Sequence, residues 1–97
     1  MGKTIDSIRG YFYNETNYTG TLPKLPSRGY FKKGDKGSEV KNVQKFLNWA
    51  LSIKLSVDGS YRQLTKEAVE RYERTVQNKD NGKFGKNDLA KAKEYRN

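Results

Sequence analysis

The sequence predicts an all-α fold, a small three-helix bundle with an extended N-terminal segment. Apolar residues recur at helical spacing in three stretches that follow residue 37. Two of these stretches come after similar turns, in Val57–Thr65 and in Asn81–Asp88. Each turn offers Asp-Gly or Asn-Gly, an aromatic residue two positions later, and then a residue that can cap a helix. Because this helix entry is used twice, we expect the two elements to pack with related geometry.

The N-terminal segment is predicted to be extended. Pro23 and Pro26 lack N–H donors and disfavour helix in the residues before them, so Leu22–Ser27 is expected to be an extended connector. The aromatic residues of the segment leave open short strands or a segment lying against the helices: Tyr11, Phe12, Tyr13 and Tyr18. The sequence favours a linker over residues 1–31, followed by one domain over residues 32–97.

The first helix is predicted from Ser38, a good N-cap, to Leu51 or Ser52. Its inward positions are spaced three and four apart, as one helix face requires: Val40, Val43, Leu47 and Ala50 or Leu51. Phe46 is expected to flank this stripe, and Trp49 is expected to point to the other side.

The second helix is predicted from Thr65 to Gln77, with Thr65 as its cap and Leu64 packed on Val69 as a hydrophobic staple. Its inward positions are Ala68, Val69, Tyr72 and Val76. A third helix from Asp88 to Tyr95, with Leu89 and Ala92 inward, is short and needs tertiary contacts for its stability.

The composition excludes several kinds of function. The 97 residues are 33% hydrophobic, with a mean hydropathy of -1.06, so the core must be thin. The chain has no cysteine and no histidine, which removes disulfides, thiolate metal sites and the usual general base. No apolar run approaches the ~20 residues that span a bilayer, and the N-terminus shows no signal-peptide core.

Only carboxylates could supply an acid and base pair, and Glu67, Glu70 and Glu73 lie close together in sequence. Each has Lys or Arg at helical spacing, and we expect no cleft deep enough to raise a carboxyl pKa by burial. Asp58 and the run Asp80-Asn81-Gly82 lack the spacing of a calcium loop. The sequence therefore predicts no catalytic residue, no metal site and no cofactor.

The formal net charge of +9, from 20 basic and 11 acidic residues, favours anionic partners in general. Nucleic acid, anionic lipid and a wall rich in phosphate and carboxylate polymers all fit. The run Arg28-Gly29-Tyr30-Phe31-Lys32-Lys33 interleaves cations with aromatics, a pattern that suits single-stranded nucleic acid. A basic nucleic-acid-binding protein is therefore one interpretation of the chain.

Three motifs follow one another along the chain. Gly34–Leu47 reads G-x-x-G-x-x-V-x-x-V-Q-x-x-L, Asp58–Val69 reads D-G-x-Y-x-x-x-T-x-x-A-V, and Asn81–Asp88 reads N-G-x-F-G-x-x-D. In this order the motifs resemble the peptidoglycan-binding domain type 1 family, a small three-helix wall-targeting module, over about Lys32 to Tyr95. The chain departs from the family pattern at Arg62, where glycine is usual, and at Tyr72-Glu73, where Phe-Gln is usual.

The resemblance implies a non-catalytic module that binds bacterial peptidoglycan. It also implies a covalently linked catalytic domain of an amidase, a lysozyme-type muramidase or a phage endolysin, located at the bacterial cell wall outside the membrane. The charge also suits anionic wall polymers. Nucleic-acid binding ranks second, and a structural role as a dimerising or packing element of an enzyme is a third interpretation.

The candidate ligand-binding residues are Trp49, Asp58, Tyr61 and Arg62. A sugar ring can stack on an aromatic side chain, and muropeptide carboxylates suit arginine. The alternatives are that Tyr61 plugs its loop onto the core, as Phe84 would, and that Trp49 covers a helix seam. Arg62 stands where the resembling family keeps glycine, so it does not serve turn flexibility.

Overall fold

The computed structural model describes residues 18–95. In chain order they form β1 (Tyr30–Phe31), α1 (Ser38–Leu51), α2 (Gln63–Thr75), β2 (Phe84–Gly85) and α3 (Lys86–Glu94). Three helices confirm the predicted all-α class. The two short strands pair antiparallel, with Tyr30 opposite Gly85 and Phe31 opposite Phe84. None of the helices between residues 18 and 95 has the length and apolar character needed to cross a membrane.

The inward positions predicted for the first two helices are all buried. In α3, Ala92 is buried and Leu89 is half-buried. Phe46, expected at the flank, is instead fully buried at the centre of the core. Its ring centroid lies 5.2 Å from that of Tyr72 and 6.3 Å from that of Phe84. The second turn therefore packs on a face of α1 that the α1 pattern alone did not mark as inward.

The position of Trp49 agrees with the alternative interpretation, in which it covers a seam of the helical unit. It is half-buried and lies in an aromatic cluster with Tyr18, Phe46 and Tyr95, at centroid distances of 5.3, 5.9 and 5.9 Å. The segment around residue 18 and the end of α3 therefore cover the part of α1 that carries Trp49.

The segment before the helices contacts the helical unit. Tyr18 is buried, and its backbone N–H donates to the Tyr95 carbonyl at 2.7 Å. Residues 21–26 form neither helix nor strand, as the two prolines predict. The predictions for Tyr11, Phe12 and Tyr13 lie outside the described residues, and the boundary between residues 31 and 32 stays a prediction.

The helix starts differ from the predicted ones by up to two residues. Gly37, not Ser38, is the N-cap of α1, and Arg62, not Thr65, is the N-cap of α2. Thr65 lies inside α2, where its hydroxyl accepts a hydrogen bond from Gln44 Nε2 on α1, at 3.2 Å. Leu64 is 70% exposed, so the predicted staple is wrong.

Asp88 caps the start of α3, as predicted, but it does so from the first turn of the helix and not from the N-cap position. Gly85 is the N-cap, and Asp88 in the first turn accepts a hydrogen bond from the Gly85 N–H at 3.2 Å. An acidic side chain at this end also complements the helix dipole.

Candidate functional site

The first turn is a tight Asp-Gly turn held between α1 and α2. Gly59 has φ +78°, and the Asp58 carboxylate accepts a hydrogen bond from the Ser60 N–H at 2.9 Å. A Cβ atom at Gly59 would lie 2.9 Å from the Gly37 carbonyl oxygen. The turn therefore requires glycine for its conformation and for its close approach to the start of α1.

The side chain of Gln44 on α1 fixes this turn from beneath. It is 1% exposed, its Oε1 accepts from the Gly59 N–H at 2.9 Å, and its Nε2 donates to the Ser60 carbonyl at 3.0 Å. The same Nε2 lies 3.2 Å from Asp58 Oδ1 and from Thr65 Oγ1. One buried amide thus satisfies the turn and ties it to α2.

Tyr61 plugs the turn onto the core. Its side chain is 1% exposed and its hydroxyl donates to the Gly82 carbonyl at 2.7 Å. Burial raises the pKa of Tyr61 well above its ordinary value. Tyr61 therefore packs its loop onto the core, and its ring has no exposed face on which a sugar could stack.

Asp58 and Arg62 are exposed and lie together. Both line an open groove of about 310 Å³, here called the first-turn groove, whose other walls include Leu55, Ser60 and Leu64. The hydrogen bond from the Ser60 N–H, and then the one from Gln44, lower the pKa of Asp58. The groove therefore carries a carboxylate and a guanidinium of opposite charge.

The first-turn groove continues into a cavity of about 360 Å³ that shares Leu55, Ser56 and Leu64 with it. Lys54 and Arg71 also line this cavity. The combined surface pairs an exposed leucine with several cations, which suits a ligand with both apolar and anionic groups.

Trp49 lies elsewhere. It belongs to the cluster with Tyr18, Phe46 and Tyr95 and does not line the first-turn groove. The structure thus brings Asp58 and Arg62 together, places Tyr61 beneath them, and separates Trp49 from all three.

The second turn repeats the first, which confirms the related geometry expected from the sequence. Gly82 has φ +74°, its N–H donates to Glu73 Oε1 at 3.0 Å, and the Lys83 N–H donates to Asn81 Oδ1 at 2.9 Å. Phe84 is fully buried, in the role that Tyr61 has in the first turn. A cavity of about 660 Å³, here called the second-turn groove, opens over this turn.

Glu73 corrects one expectation from the sequence. It is 1% exposed, and burial together with a hydrogen bond to Asp88 raises the pKa of Glu73 to about 9. Asp88 is itself 3% exposed and accepts a hydrogen bond from Asn78 Nδ2 at 2.9 Å. A small module can therefore raise a carboxyl pKa without a cleft, because the turn itself seals Glu73 from solvent.

The sequence reasoning missed Leu55 and Leu64 as walls of the groove. A signal for Leu64 was present, because the matching position in the second turn is the polar Asn87. A residue that had to be buried as a staple would be apolar in both copies. Among residues 18–95, no group of three Asp or Glu side chains is arranged to hold a metal ion.

Comparison with known proteins supplies the family. The family model described as "Putative peptidoglycan binding domain" matches residues 36–91, more than half of the 97 residues. The matched range holds α1, α2, both turns and most of α3. A search of curated proteins and a search of solved structures found no match. The chain therefore belongs to this family of peptidoglycan-binding domains.

Proposed function

We propose that this chain is a non-catalytic peptidoglycan-binding module that holds a lytic enzyme at the bacterial cell wall. Family membership supplies the ligand class. The observation that carries the choice of site is the open first-turn groove, in which Arg62 and Asp58 lie exposed beside Leu64.

The groove suits the stem peptide of peptidoglycan. A stem peptide is a short peptide whose residues carry small methyl side chains and free carboxylates. Arg62 can bind a carboxylate through two parallel hydrogen bonds, and Leu55 with Leu64 can contact methyl groups. Asp58 is placed to accept hydrogen bonds from peptide N–H groups. The residues lining the groove include no aromatic ring, which favours stem peptide over glycan.

Arg62 and Asp58 are the contacts to test first. Trp49 and Tyr61 stay predictions as ligand contacts, since Trp49 is half-buried in another cluster and Tyr61 is buried. Both could act indirectly by holding α1 and the first turn in place.

The proposed partner is a catalytic domain on the same polypeptide, of the amidase, muramidase or endolysin class. A module tethered to such a domain raises the effective concentration of the enzyme on its polymer without tight binding at a single site. The wall outside the membrane is the proposed location.

The isolated chain is expected to release no soluble fragments from labelled peptidoglycan. It has no histidine or cysteine, and Glu73, the carboxyl with the raised pKa, is buried beneath the second turn. Fragment release is measured against heat-killed protein. Release above that background would contradict a non-catalytic module.

Replacing Arg62 with alanine is expected to weaken binding to purified sacculi and to leave the free energy of unfolding within about 0.5 kcal/mol of the parent. The side chain is exposed and its φ of -111° is ordinary for any residue, so the turn does not depend on it. Binding is measured by co-sedimentation at matched salt, and stability by chemical denaturation. Arg62→Gly, which restores the usual family residue, should act similarly.

Two controls separate a lost contact from lost charge or lost fold. Lys45→Ala removes one exposed cation outside both grooves and should bind like the parent. Val43→Ala, at a fully buried position, should cost roughly 1 kcal/mol or more and affect binding only through unfolding. Unchanged binding by Arg62→Ala would refute the site. Equal binding to DNA, with complete loss at high salt, would favour the nucleic-acid interpretation.

A further inference from the structure

The two grooves are built from the same backbone. Eight residues between Leu55 and Thr65 line the first-turn groove, and the residues 23 positions later, between Asn78 and Asp88, line the second-turn groove. The helices that follow begin at Gln63 and Lys86, which keep this offset. The N-cap dihedral angles agree closely, with φ -111° and ψ -169° in the first copy and φ -121° and ψ -162° in the second.

The support beneath each groove is also the same. The Gly59 N–H donates to the side chain of Gln44 at 2.9 Å, and the Gly82 N–H donates to the side chain of Glu73 at 3.0 Å. The second-turn groove is therefore a second copy of the structure that forms the proposed ligand site.

The walls of the second copy have different chemistry. Lys83 and Lys86 stand where the first-turn groove has Ser60 and Gln63. Asparagines replace the two leucines, and Lys79 replaces Ser56. The second-turn groove is thus cationic and polar, and at about 660 Å³ it is larger than the first at about 310 Å³.

The charge of these lysines is available to a ligand. Lys79, Lys83 and Lys86 are exposed, and within residues 18–95 none of them forms a salt bridge. Lys83 Nζ lies 5.2 Å from the centre of the Tyr30 ring, which adds an aromatic wall. Arg28 also lines the groove, but it is paired with Asp35.

The acidic residues at the base of the groove, Glu73 and Asp88, offer a ligand almost no accessible surface. Glu73 is 1% exposed and Asp88 is 3% exposed, and both accept hydrogen bonds from the backbone of the second turn. A ligand in the groove therefore meets ammonium groups and amide side chains.

We propose that the second-turn groove is a second binding site, which takes an oxyanion, carboxylate or phosphate, carried by a wall polymer. That the oxyanion belongs to a wall polymer rests on the proposed function. That the groove binds an oxyanion follows from the three lysines alone. Two sites on one small domain bind a repeating polymer more tightly than either site alone, because the second contact forms at a high effective concentration.

The test uses the full chain labelled with ¹⁵N and follows backbone amide shifts. The probes are inorganic phosphate, a synthetic stem tripeptide with free carboxylates, and N-acetylglucosamine as an uncharged control. We expect phosphate, the tripeptide or both to shift the amides of Lys79, Lys83 and Lys86, and the sugar to leave them unchanged. Which anion acts identifies the source, phosphate polymer or peptide. If neither anion shifts these amides, the proposal is wrong.

A pair of triple variants tests the same site on walls. Lys79→Gln/Lys83→Gln/Lys86→Gln should lower affinity for sacculi by about tenfold or more, since it removes one of two linked sites. The matched control, Lys24→Gln/Lys45→Gln/Lys93→Gln, removes the same charge from exposed positions outside both grooves and should change affinity by less than about threefold. Equal losses in both variants, or no loss in the first, would overturn the second site.

Failure of the proposed function would give a different pattern. If the parent chain does not bind sacculi, the proposed function fails, and the amide shifts with phosphate and tripeptide still test the second-turn groove directly. If Arg62→Ala binds like the parent while the first triple variant does not, the second site stands and the first-turn site fails.

Discussion

Replacing Phe46 with alanine is expected to lower the free energy of unfolding by about 3–5 kcal/mol. Phe46 is fully buried, and four other aromatic rings surround it besides Trp49: Tyr18, Tyr72, Phe84 and Tyr95. These rings come from all three helices or the segments beside them, so no single element can close the cavity. A loss of this size is a large part of the roughly 5–15 kcal/mol that stabilises a small domain.

The measurement is urea denaturation followed by circular dichroism, with Leu64→Ala as the control. Leu64 is 70% exposed, so its truncation should change stability by no more than about 0.5 kcal/mol. A large loss with Leu64→Ala, or a small loss with Phe46→Ala, would contradict the arrangement of the core.

The stability of the domain is expected to fall as pH rises from about 4.5 to about 9. The pKa of Glu73 is raised from 4.5 to about 9 by burial and by the hydrogen bond with Asp88. Over that pH range the folded state keeps a proton that the unfolded chain releases. The stabilisation from protonated Glu73 is therefore fully present below pH 4.5, the pKa of the unfolded chain. It is lost as the pH rises to about 9, the pKa of Glu73 in the folded state. The free energy of unfolding falls over this range by at most about 1.4 kcal/mol per pH unit.

Glu73→Gln should remove this dependence and raise the melting temperature at pH 9. A glutamine can accept from the Gly82 N–H and donate to Asp88, just as Gln44 accepts from the Gly59 N–H and donates to Thr65. Glu67→Gln, an exposed position on α2, is the control and should keep the parent's slope. The melting temperature is followed from pH 5 to pH 9. If the melting temperature of the parent does not change with pH, or if Glu73→Gln keeps the pH dependence of the parent, Glu73 does not hold a proton in the folded state.

The three helices could be predicted because each carries apolar residues on one face, and every inward position predicted for α1 and α2 is buried. The helix starts could not be placed by local pattern. Threonine is a good cap, but Thr65 instead accepts a hydrogen bond from Gln44, which is 21 residues earlier in the chain. Only the packing of α1 against the turn decides between the two roles.

The surroundings of α1 were also beyond local pattern. Phe46 and Trp49 lie on faces whose covering comes from residues near 18, 84 and 95. Helical periodicity identifies one buried face of a helix. It does not predict burial of the other faces when distant segments of the chain cover them.

The candidate site was predictable in part. The repeated turn indicated related geometry, and the departure from glycine drew attention to Arg62, which is exposed beside a groove. The groove itself was not visible, because its walls include residues before the turn, such as Leu55. The lysines of the second-turn groove were counted in the net charge, but their shared position appears only when the two turns are aligned on the structure.

The hydrogen bond from the Tyr18 N–H to the Tyr95 carbonyl, at 2.7 Å, places the two ends of the described chain side by side. In mechanical terms, the described domain is held between two ends that lie next to each other. Tension between flanking segments would load the contacts of Tyr18 and Tyr95 first. The residues that line the two grooves take no part in this hydrogen bond, so opening it would not by itself break the contacts that form the proposed ligand sites.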